Sequence, residues 1–434
     1  MKKYAVCGFS TRAIAQYVVP LLGIPELPEY GDFSKYGKLV AAVDIDIDRI
    51  KIFNERQKTS IPAYLPDEFE KMIRETKPDA LIVAGADFTH AEYVIAGLKH
   101  NLDVIVEKPM TITAQQAKQV LEAEKASKGK VTVAFNFRYV PAHKYMKKLI
   151  MDGAVGKITN IEFVYNLDTW HGPSYFVRWN RTRKFSGGLS IHKSCHHFDL
   201  INWLIDDIPE TVFAFGALNY FGPNSPFNPQ KKSRKKLSKE EIEKRCPYYL
   251  KWVGETIPMP QPKHLKIYTD TFHLPYKVQY PEKLYLYDPD IDIEDTYSAA
   301  IRYESGASMT YSFNASTPWE GYILGINGTG GRIETVWIST APDRCPFPKP
   351  ERQTITYIPL FGPRQVHDIP VVPGGHGGSD HVIKHDIFVK ETEESKKLGI
   401  CAGSIAGAYA VAMGEAVWKS VKTGNPIRIS DLLK

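Results

Sequence analysis

The stretch that decides the fold stands at the amino terminus and reads Tyr4-Ala5-Val6-Cys7-Gly8-Phe9-Ser10-Thr11-Arg12-Ala13. A short apolar run leads there into a glycine and then into a segment with helical spacing, which is the pattern of a strand, a turn and a helix. Further apolar runs alternate with helical segments up to about residue 136. Because parallel strands need such crossover helices, the pattern predicts an α/β domain over residues 1–138.

The character of the sequence changes after this first domain. Apolar runs such as 158–165 and 307–313 are joined by hairpin-type turns. They predict an α+β domain with a large, mainly antiparallel, open-faced sheet over residues 139–434. Residues 222–293 are rich in Pro, Lys and Tyr and lack a clear period, so we interpret them as an insertion. The small residues of a last helix, Gly403 to Lys422, lead us to expect close packing near the domain interface.

The composition argues against several classes of protein. With 43% hydrophobic and 24% charged residues, the chain has the composition of an ordinary globular protein. Its net charge of +6 and its basic cluster, Lys231 to Lys236, are too small to indicate nucleic-acid binding. No run nears the roughly twenty apolar residues that span a membrane. The five cysteines are scattered and form no CxxC pair, so we expect a reducing, cytoplasmic location.

The turn after the first strand has the position of a dinucleotide-binding fingerprint. Gly8 is its first glycine, Ser10 replaces the second, and Ala13 is an accepted replacement for the third. Thr11 and Arg12 lie where the first amides of a helix favour an anion, and Arg12 adds a positive charge. We therefore expect this loop to hold the pyrophosphate of a dinucleotide.

The end of the second strand indicates which dinucleotide is bound. Asp44 stands there, where an acidic residue accepts hydrogen bonds from the adenosine ribose and repels a 2′-phosphate. Ile45 follows it instead of a basic residue, so NAD is favoured over NADP. The alternative interpretation of Asp44 is a turn-initiating residue, helped by Asp46 and Asp48.

A second chemical signal follows a later strand. The buried pattern Val104 to Val106 runs directly into Glu107-Lys108-Pro109. Ligands of open parallel sheets sit at the carboxyl ends of the strands, so Lys108 is predicted to emerge into the cofactor crevice. A lysine there can take a proton while a secondary alcohol gives up a hydride. The alternative interpretation of the tripeptide is a surface turn.

Motifs that follow one another along the chain are Asp87 to His90, Glu107-Lys108-Pro109, Asn136 to Arg138, and Gly187-Gly188 with His196 and Asp199. With them the sequence resembles the Gfo/Idh/MocA oxidoreductases over nearly its whole length. The resemblance implies that Lys108 is a proton shuttle or substrate-hydroxyl ligand and that His196 is the catalytic histidine. It also implies that the cofactor is contacted by Asp87, His90, Glu107, Lys108 and Asn136, with His90 and Glu107 near the nicotinamide ribose.

The chain departs from the commonest family pattern at His192, where many members carry Asp or Glu. If residues 187–199 are one helix, His192 and His196 share a face at a spacing of four residues. A two-histidine metal site lacks a third ligand at regular spacing, so no metal is predicted. The favoured interpretation is a substrate-facing acid/base pair, with Lys193 adding positive charge to the same pocket.

Residues suited to a sugar lie mainly between the two domains. Aromatic faces and hydrogen-bonding groups there give the predicted substrate contacts Arg138, Asp168, Trp170, His171, Trp179 and Lys193. His376 lies in a later glycine-dense loop that lacks the features of a phosphate loop, so we expect it to contact substrate as well.

These observations predict an NAD-dependent oxidoreductase that acts on a secondary hydroxyl of a sugar, cyclitol or glycoside, with Lys108 and His196 assisting proton transfer. One alternative is a glycoside-cleaving enzyme that oxidises its substrate transiently, eliminates the leaving group and returns the hydride. Another is an NAD-binding regulator without catalysis. Because an open antiparallel sheet usually needs a partner, we expect a homodimer or homotetramer.

Overall fold

The computed structural model describes residues 1–248, 268–269, 272, 274–276, 284–339, 351–372 and 375–434. Two large sheets organise the chain. Strands of the first sheet are β1 (Lys2–Cys7), β2 (Gly37–Val43), β3 (Ala63–Tyr64), β4 (Ala80–Val83), β5 (Asp103–Val106) and β6 (Val131–Val133). They are parallel and run in the order β3-β2-β1-β4-β5-β6. This is the Rossmann order, in which the chain reverses direction across the sheet between β1 and β4.

Crossover helices connect these strands and bury them. Their bounds are Thr11–Ala13, a π-helical segment Ile14–Val18, Val19–Leu22, Ile47–Gln57, Phe69–Thr76, Asp87–Lys99 and Ala114–Lys125. Short 3-10 segments lie at Pro28–Tyr30 and Pro66–Glu68. Every residue of β4 is buried, which requires cover on both faces of the sheet.

The second sheet gathers most later strands. Those strands and a separate short pair, in chain order, are β7 (Ile158–Asp168), β8 (Pro209–Ala217), β9 (Tyr268–Thr269), β10 (Pro275–Tyr276), β11 (Thr296–Tyr303), β12 (Ser308–Thr317), β13 (Gly321–Gly328), β14 (Gly331–Ile338), β15 (Arg352–Pro359), β16 (Gln365–Pro370), β17 (Ala402–Gly403) and β18 (Ile427–Arg428). The sheet runs β16-β15-β14-β13-β7-β12-β11-β8-β18, while β9 pairs with β10 and β17 joins β6. Within the described residues, β7 and β12 are its only parallel neighbours. The predicted Rossmann domain followed by an α+β domain with a large, mainly antiparallel sheet is thus confirmed.

The carboxyl-terminal part also contains helices, several of which pack on this second sheet. Their bounds are Pro141–Met151, His171–Ser174, Arg183–Ser186, Leu189–His192, Cys195–Ile205, Lys239–Arg245, Ser379–Phe388, Glu393–Leu398, Ser404–Thr423 and Ile429–Leu433, with 3-10 segments at Asn136–Tyr139, Trp179–Arg181, Pro229–Lys232 and Gly375–Gly378. The long helix Ser404–Thr423 packs on β8 and on helices of both domains. A Cβ on Gly414 would lie 2.3 Å from the carbonyl oxygen of Ser190, so this helix needs glycine for its close approach.

Part of the region predicted as an insertion, residues 222–293, falls outside the described residues. Its described residue Leu274 is buried in the apolar cluster of the Rossmann domain. The guanidinium of Arg49 donates to the carbonyl oxygen of Phe9 and, at 3.5 Å, to that of Leu274. The insertion therefore contacts the domain that precedes it. Among the described residues, no helix combines the length and apolar character needed to cross a bilayer.

Candidate active site

At the carboxyl end of the first sheet, the backbone that follows β1 lies close to the backbone that follows β4. Gly8 adopts a φ of 92°, and a Cβ on it would lie 2.2 Å from the Cα of Gly85. Ser10 begins the helix: its Oγ accepts from the amide of Ala13 at 3.1 Å and donates to the carbonyl of Ala84 at 2.7 Å. Ser10 thus caps the helix and anchors the loop to the end of β4, a physical reason for serine at this position of the fingerprint.

Asp44 follows β2 and holds the same loop from the other side. Its carboxylate accepts from the amide of Phe9 at 2.5 Å and from that of Asp46 at 2.8 Å. Burial raises the pKa of Asp44, although both backbone hydrogen bonds oppose this. Asp44 therefore combines the predicted turn geometry with a half-buried carboxylate at the place where a ribose is expected.

Arg12 was predicted to bind a phosphate, but its guanidinium contacts two carboxylates instead. Its Nε contacts Glu107 at 2.8 Å, and its two Nη atoms contact the carboxylate of Asp380 at 2.9 and 3.0 Å. Glu107 also accepts from the hydroxyl of Tyr17 at 2.9 Å, and Asp380 from the amide of Asn136 at 2.7 Å. The charge of Arg12 is thereby committed to two carboxylates, one of them on the helix Ser379–Phe388. We call this group of five residues the Arg12 clasp.

Lys108 leaves the end of β5 and reaches the second domain. Its Nζ donates to the carbonyl oxygen of His192 at 3.2 Å. His90 contacts the carbonyl oxygens of Pro109 at 2.8 Å and Gly85 at 3.2 Å through its two ring nitrogens. His90 therefore braces the loops that carry Lys108, and its cofactor contact stays a prediction.

His192 faces the Rossmann domain. Its Nδ1 contacts the carboxylate of Asp87, and its Nε2 lies 3.4 Å from the amide nitrogen of Asn180. The rings of Tyr175 and Trp179 approach the imidazole edge-on at 5.5 and 5.9 Å. Burial lowers the pKa of His192, and Asp87 opposes this shift. An amide donor at Nε2 fits a neutral ring that donates from Nδ1. We call Lys108, His192 and Asp87 the lysine centre.

The predicted single face for His192 and His196 is wrong. One helix ends at His192 and the next begins at Cys195. Between them, the Ser194 hydroxyl contacts the hydroxyls of Tyr297 and Tyr311, which fixes the break. His196 is 1% exposed and stacks on Phe137 with ring centroids 4.6 Å apart.

Arg138 also lies away from the place predicted for it. Its guanidinium donates twice to Asp199, at 2.8 and 2.5 Å, and once to the carbonyl of Gly399 at 3.2 Å. Only 7% of its side chain and 1% of that of Asp199 are exposed. A buried charge needs such a partner, and this placement argues against a substrate contact of Arg138.

A second polar group lies beside the lysine centre. Nδ1 of His171 contacts Glu320 at 2.9 Å, and its Nε2 contacts the hydroxyl of Tyr175 at 2.9 Å. Nζ of Lys193 lies 4.0 Å from Glu320 and 5.2 Å from the ring centre of Tyr165. Burial lowers the pKa of Lys193 to about 8. Burial also opposes ionisation of Glu320, but His171 and Lys193 outweigh it and hold its pKa at about 2. We call Tyr175, His171 and Glu320 the tyrosine centre.

The tyrosine centre exists because β7 and β12 are parallel and end together. Thr317 of β12 pairs with Asp168 of β7, so the turn carrying His171 meets the segment that carries Glu320 before β13. Asp168 accepts from the amides of Trp170 at 2.9 Å and His171 at 2.8 Å. This predicted substrate ligand thus shapes the turn.

Sequence reasoning missed Glu320 and Tyr175. The sequence offered one signal for each of them: a charged residue immediately before β13, and a tyrosine four residues after His171. Trp170 is buried in the core of the second domain, whereas Trp179 is half-buried beside His192. The side chain of His376 is outside the described residues.

Comparisons with known proteins agree with this architecture. Residues 2–135 match the family model GFO_IDH_MocA, described as "Oxidoreductase family, NAD-binding Rossmann fold", and residues 147–429 match its "C-terminal alpha/beta domain". The chain is 42% identical to "Putative oxidoreductase YteT" of Bacillus subtilis strain 168, over 100% of this chain and 99% of that protein. It is 30% identical to inositol 2-dehydrogenase of Rubrobacter xylanophilus, over 41% of this chain and 48% of that protein.

Solved structures share the fold. Levoglucosan dehydrogenase in complex with NADH superposes with a TM-score of 0.66 at 16% identity, covering 99% of each chain. At that identity the likeness concerns the fold alone.

Proposed function

The chain belongs to the Gfo/Idh/MocA oxidoreductase family, and from this premise we propose that it transfers a hydride between NAD and a secondary hydroxyl of a sugar, cyclitol or glycoside. The observation that carries the proposal is the lysine centre. The Nζ of Lys108 in one domain donates to the backbone carbonyl of His192 in the other, and the imidazole of His192 contacts Asp87 of the first domain, at the carboxyl end of the first sheet. Ligands of doubly wound sheets bind there.

The cofactor side of the cleft fits NAD. The close approach of Gly8 and Gly85 leaves no room for a side chain at this turn, where a phosphate would bind, and Asp44 stands where a ribose hydroxyl would bind. The buried Oδ1 of Asn136 has no hydrogen-bond partner among the described residues, so it is an acceptor ready for an N–H of a ligand. When bound, NAD accepts the hydride from the carbon that carries the hydroxyl.

The proton of that hydroxyl goes to the lysine centre. His192 holds a neutral imidazole at neutral pH because burial lowers its pKa, and Asp87 fixes the tautomer in which Nε2 is the acceptor. The substrate oxygen gives its proton to this Nε2. Lys108 donates to the same oxygen and stabilises the negative charge that develops on it. Asn180, beside Nε2, orients the substrate.

The substrate class is supported by the names of relatives and by the aromatic wall of the cleft. Similar proteins from two bacteria are named inositol 2-dehydrogenase and myo-inositol 2-dehydrogenase. The ring of Trp179 lies 5.9 Å from that of His192 in the lysine centre and 6.2 Å from that of Phe88. Flat apolar faces of this kind pack against the C–H faces of a sugar ring.

The test is a panel of sugars, cyclitols and glycosides given to the full-length protein with NAD. We expect NADH absorbance, or interconversion of substrate and ketone, with at least one member of the panel. Protein that binds NAD but converts no member would instead support the non-catalytic regulator.

We also propose a homodimer or homotetramer in the cytoplasm. The sheet carries exposed apolar side chains on Phe215, Ile323 and Val336, which are 70%, 45% and 49% exposed. Such a face is usually covered by a partner. The cysteines of the described residues are free thiols, as in a reducing compartment. Light scattering of the purified protein tests the assembly, and a monomeric mass would contradict it.

A further inference from the structure

The last part of the insertion is an extended segment, residues 284–295, that we call the strap. Its acidic residues alternate with isoleucines: Ile291 and Ile293 are 5% and 1% exposed and belong to the core of the second domain. A period of two residues turns the carboxylates to the opposite side of an extended chain. There they contact the guanidinium groups of Arg181 and Arg183. The strap is thus fixed by its apolar side and binds two arginines with the other.

Hydrogen bonds at both ends hold the strap to the chain that follows β8. Near its start, the carbonyl oxygen of Leu286 accepts from the amide of Gly222 at 2.7 Å. At its end, the carboxylate of Asp295 accepts from the amides of Tyr220 at 2.6 Å and Phe221 at 2.8 Å. Asp295 is fully buried, so these bonds cannot be replaced by water without opening the core. The strap is therefore a rigid support for whatever it contacts.

Arg181 reaches the strap from the 3-10 segment Trp179–Arg181. Its Nε donates to Asp290 at 3.1 Å, and its Nη1 donates to Asp288 at 3.0 Å and to the carbonyl oxygen of Tyr285 at 3.3 Å. Its Nη2 also contacts Asp290. Only 5% of the Arg181 side chain is exposed. A planar guanidinium with three such acceptors is fixed in both position and orientation.

The two residues that precede Arg181 lie beside His192. The ring of Trp179 lies 5.9 Å from the imidazole, and Nδ2 of Asn180 lies 3.4 Å from its Nε2. The backbone carbonyl of Asn180 accepts from the hydroxyl of Ser186 at 2.7 Å, so this short segment is held on one side by Ser186 and on the other by Arg181. The segment is therefore positioned by contacts outside the lysine centre.

The side chain of Asn180 needs such support. Asn180 is 6% exposed, and its Oδ1 is buried without a hydrogen-bond partner among the described residues. Burial of an unpaired acceptor opposes folding, so the surrounding structure has to hold the amide in place. The same oxygen is ready to accept from a hydroxyl of a ligand.

Stability alone does not account for Arg181. A buried ion pair adds little net stability, because the loss of hydration offsets the attraction between the charges. We propose that Arg181, held by the strap, is a positioning residue that keeps Trp179 and Asn180 beside His192 to receive the substrate. This inference rests on the proposed function, because it assigns a role in substrate binding to the two residues that Arg181 holds.

The first test needs no turnover. Arg181→Lys keeps the positive charge but loses the planar fork, so we expect Asn180 to leave Nε2 of His192. An amide donor at Nε2 favours the neutral ring, and its loss should raise the pKa of His192. Three charged groups act on this ring and are unchanged in the variant: Asp87, Lys108 and Lys193.

The measurement is an NMR pH titration of the full-length protein with ¹³C-labelled histidine rings. The signal of His192 is identified by its absence from His192→Gln. We expect His192 to titrate at a higher pH in Arg181→Lys than in the wild type. An unchanged titration would overturn the positioning role of Arg181, whether or not the protein oxidises any sugar.

The second test uses NAD and a substrate found in the panel. Arg181→Lys should raise KM about 10-fold and lower kcat less than about 3-fold, because the residues it holds bind the substrate in its ground state and transition state alike. Asp290→Asn, on the other side of the contact, should raise KM by a smaller factor. NAD affinity, measured by calorimetry, should stay at the wild-type value. A fall in kcat at constant KM would indicate a loss of folded protein and would overturn the proposal.

A matched control is Tyr322→Phe, which disturbs the same domain away from the strap. Its hydroxyl contacts His143 at 2.6 Å and Gln353 at 2.8 Å within the core. We expect this variant to unfold at lower denaturant concentration but to keep the wild-type KM and the wild-type titration of His192. Equal changes in both variants would mean general loosening of the domain and would overturn the role of Arg181. Absence of turnover by the wild type with every sugar would overturn the proposed function, whereas the NMR titration would still decide the position of Asn180.

Discussion

The amino-terminal and carboxyl-terminal halves of the cleft use charge in different ways. On the Rossmann side, Arg12 is bound to two carboxylates, and those carboxylates also hold Tyr17 and Asn136. Around His192 and His171, by contrast, the carboxylates of Asp87 and Glu320 each contact an imidazole. The first half therefore contains fixed ion pairs, whereas in the proposed function the second half takes up a proton at His192. Substitutions on the two sides should therefore affect different measurements.

The largest effect is expected where the halves meet. Lys108→Ala should lower turnover by about 1,000-fold, because it removes the cation at the substrate oxygen, while NAD binding changes little. Turnover is measured with a substrate found in the panel, and NAD affinity by calorimetry. Unchanged turnover would show that Lys108 takes no part in the mechanism. A loss of NAD affinity as large as the loss of turnover would show that Lys108 binds the cofactor instead.

Asp87→Asn tests whether the carboxylate sets the state of His192. We expect a loss of activity of about 100-fold, because the amide no longer fixes the tautomer. The working ring is neutral, so activity falls as pH drops through the pKa of His192. Asp87 raises that pKa against the larger effect of burial, so its removal should move the acid limb of the pH profile to lower pH. An acid limb that stays in place would contradict the pairing.

Arg12→Met tests whether the Arg12 clasp stabilises the folded protein. It keeps the length of the side chain but leaves Glu107 and Asp380, both 8% exposed, without their cation. We expect the free energy of unfolding to fall by about 2 kcal/mol, less than for a fully buried pair because Arg12 is 29% exposed. Denaturant titration measures it. The control Lys71→Met removes an exposed ion pair with Glu68 and should have no measurable effect.

The smallest effect is expected at the fingerprint itself. Ser10→Gly restores the usual glycine but removes the helix cap and the hydrogen bond to Ala84. The free energy of unfolding should fall by about 1 kcal/mol, with NAD affinity within about threefold of wild type. An NAD affinity that rises more than about tenfold would mean that the Ser10 side chain hinders phosphate binding instead of stabilising the loop.

The same contrast explains what the sequence could predict. Gly8, Asp44 and Lys108 follow directly from regular parallel strands, whose carboxyl ends share one edge, so a local pattern was enough. Glu320 and His171 meet only because β7 pairs with β12, about 150 residues apart, and no local period records that pairing.

The error at His192 and His196 has a similar cause. A spacing of four residues predicts one face only within a continuous helix, and tertiary hydrogen bonds from Tyr297 and Tyr311 to Ser194 interrupt this one. These tyrosines come from strands β11 and β12, about a hundred residues later in the chain. Local spacing therefore gave the wrong face for His196, while the alternation of apolar runs and helical segments predicted the fold class.

The Arg12 clasp also bears on how fast the cofactor can be exchanged. It joins the start of the cofactor helix to the helix Ser379–Phe388, whose Phe388 packs against Tyr4 and Tyr17 of the first domain. An opening that moved these two helices apart would have to separate Arg12 from Asp380 and withdraw Phe388 from Tyr4 and Tyr17. The clasp and Phe388 therefore oppose such an opening and would slow cofactor release.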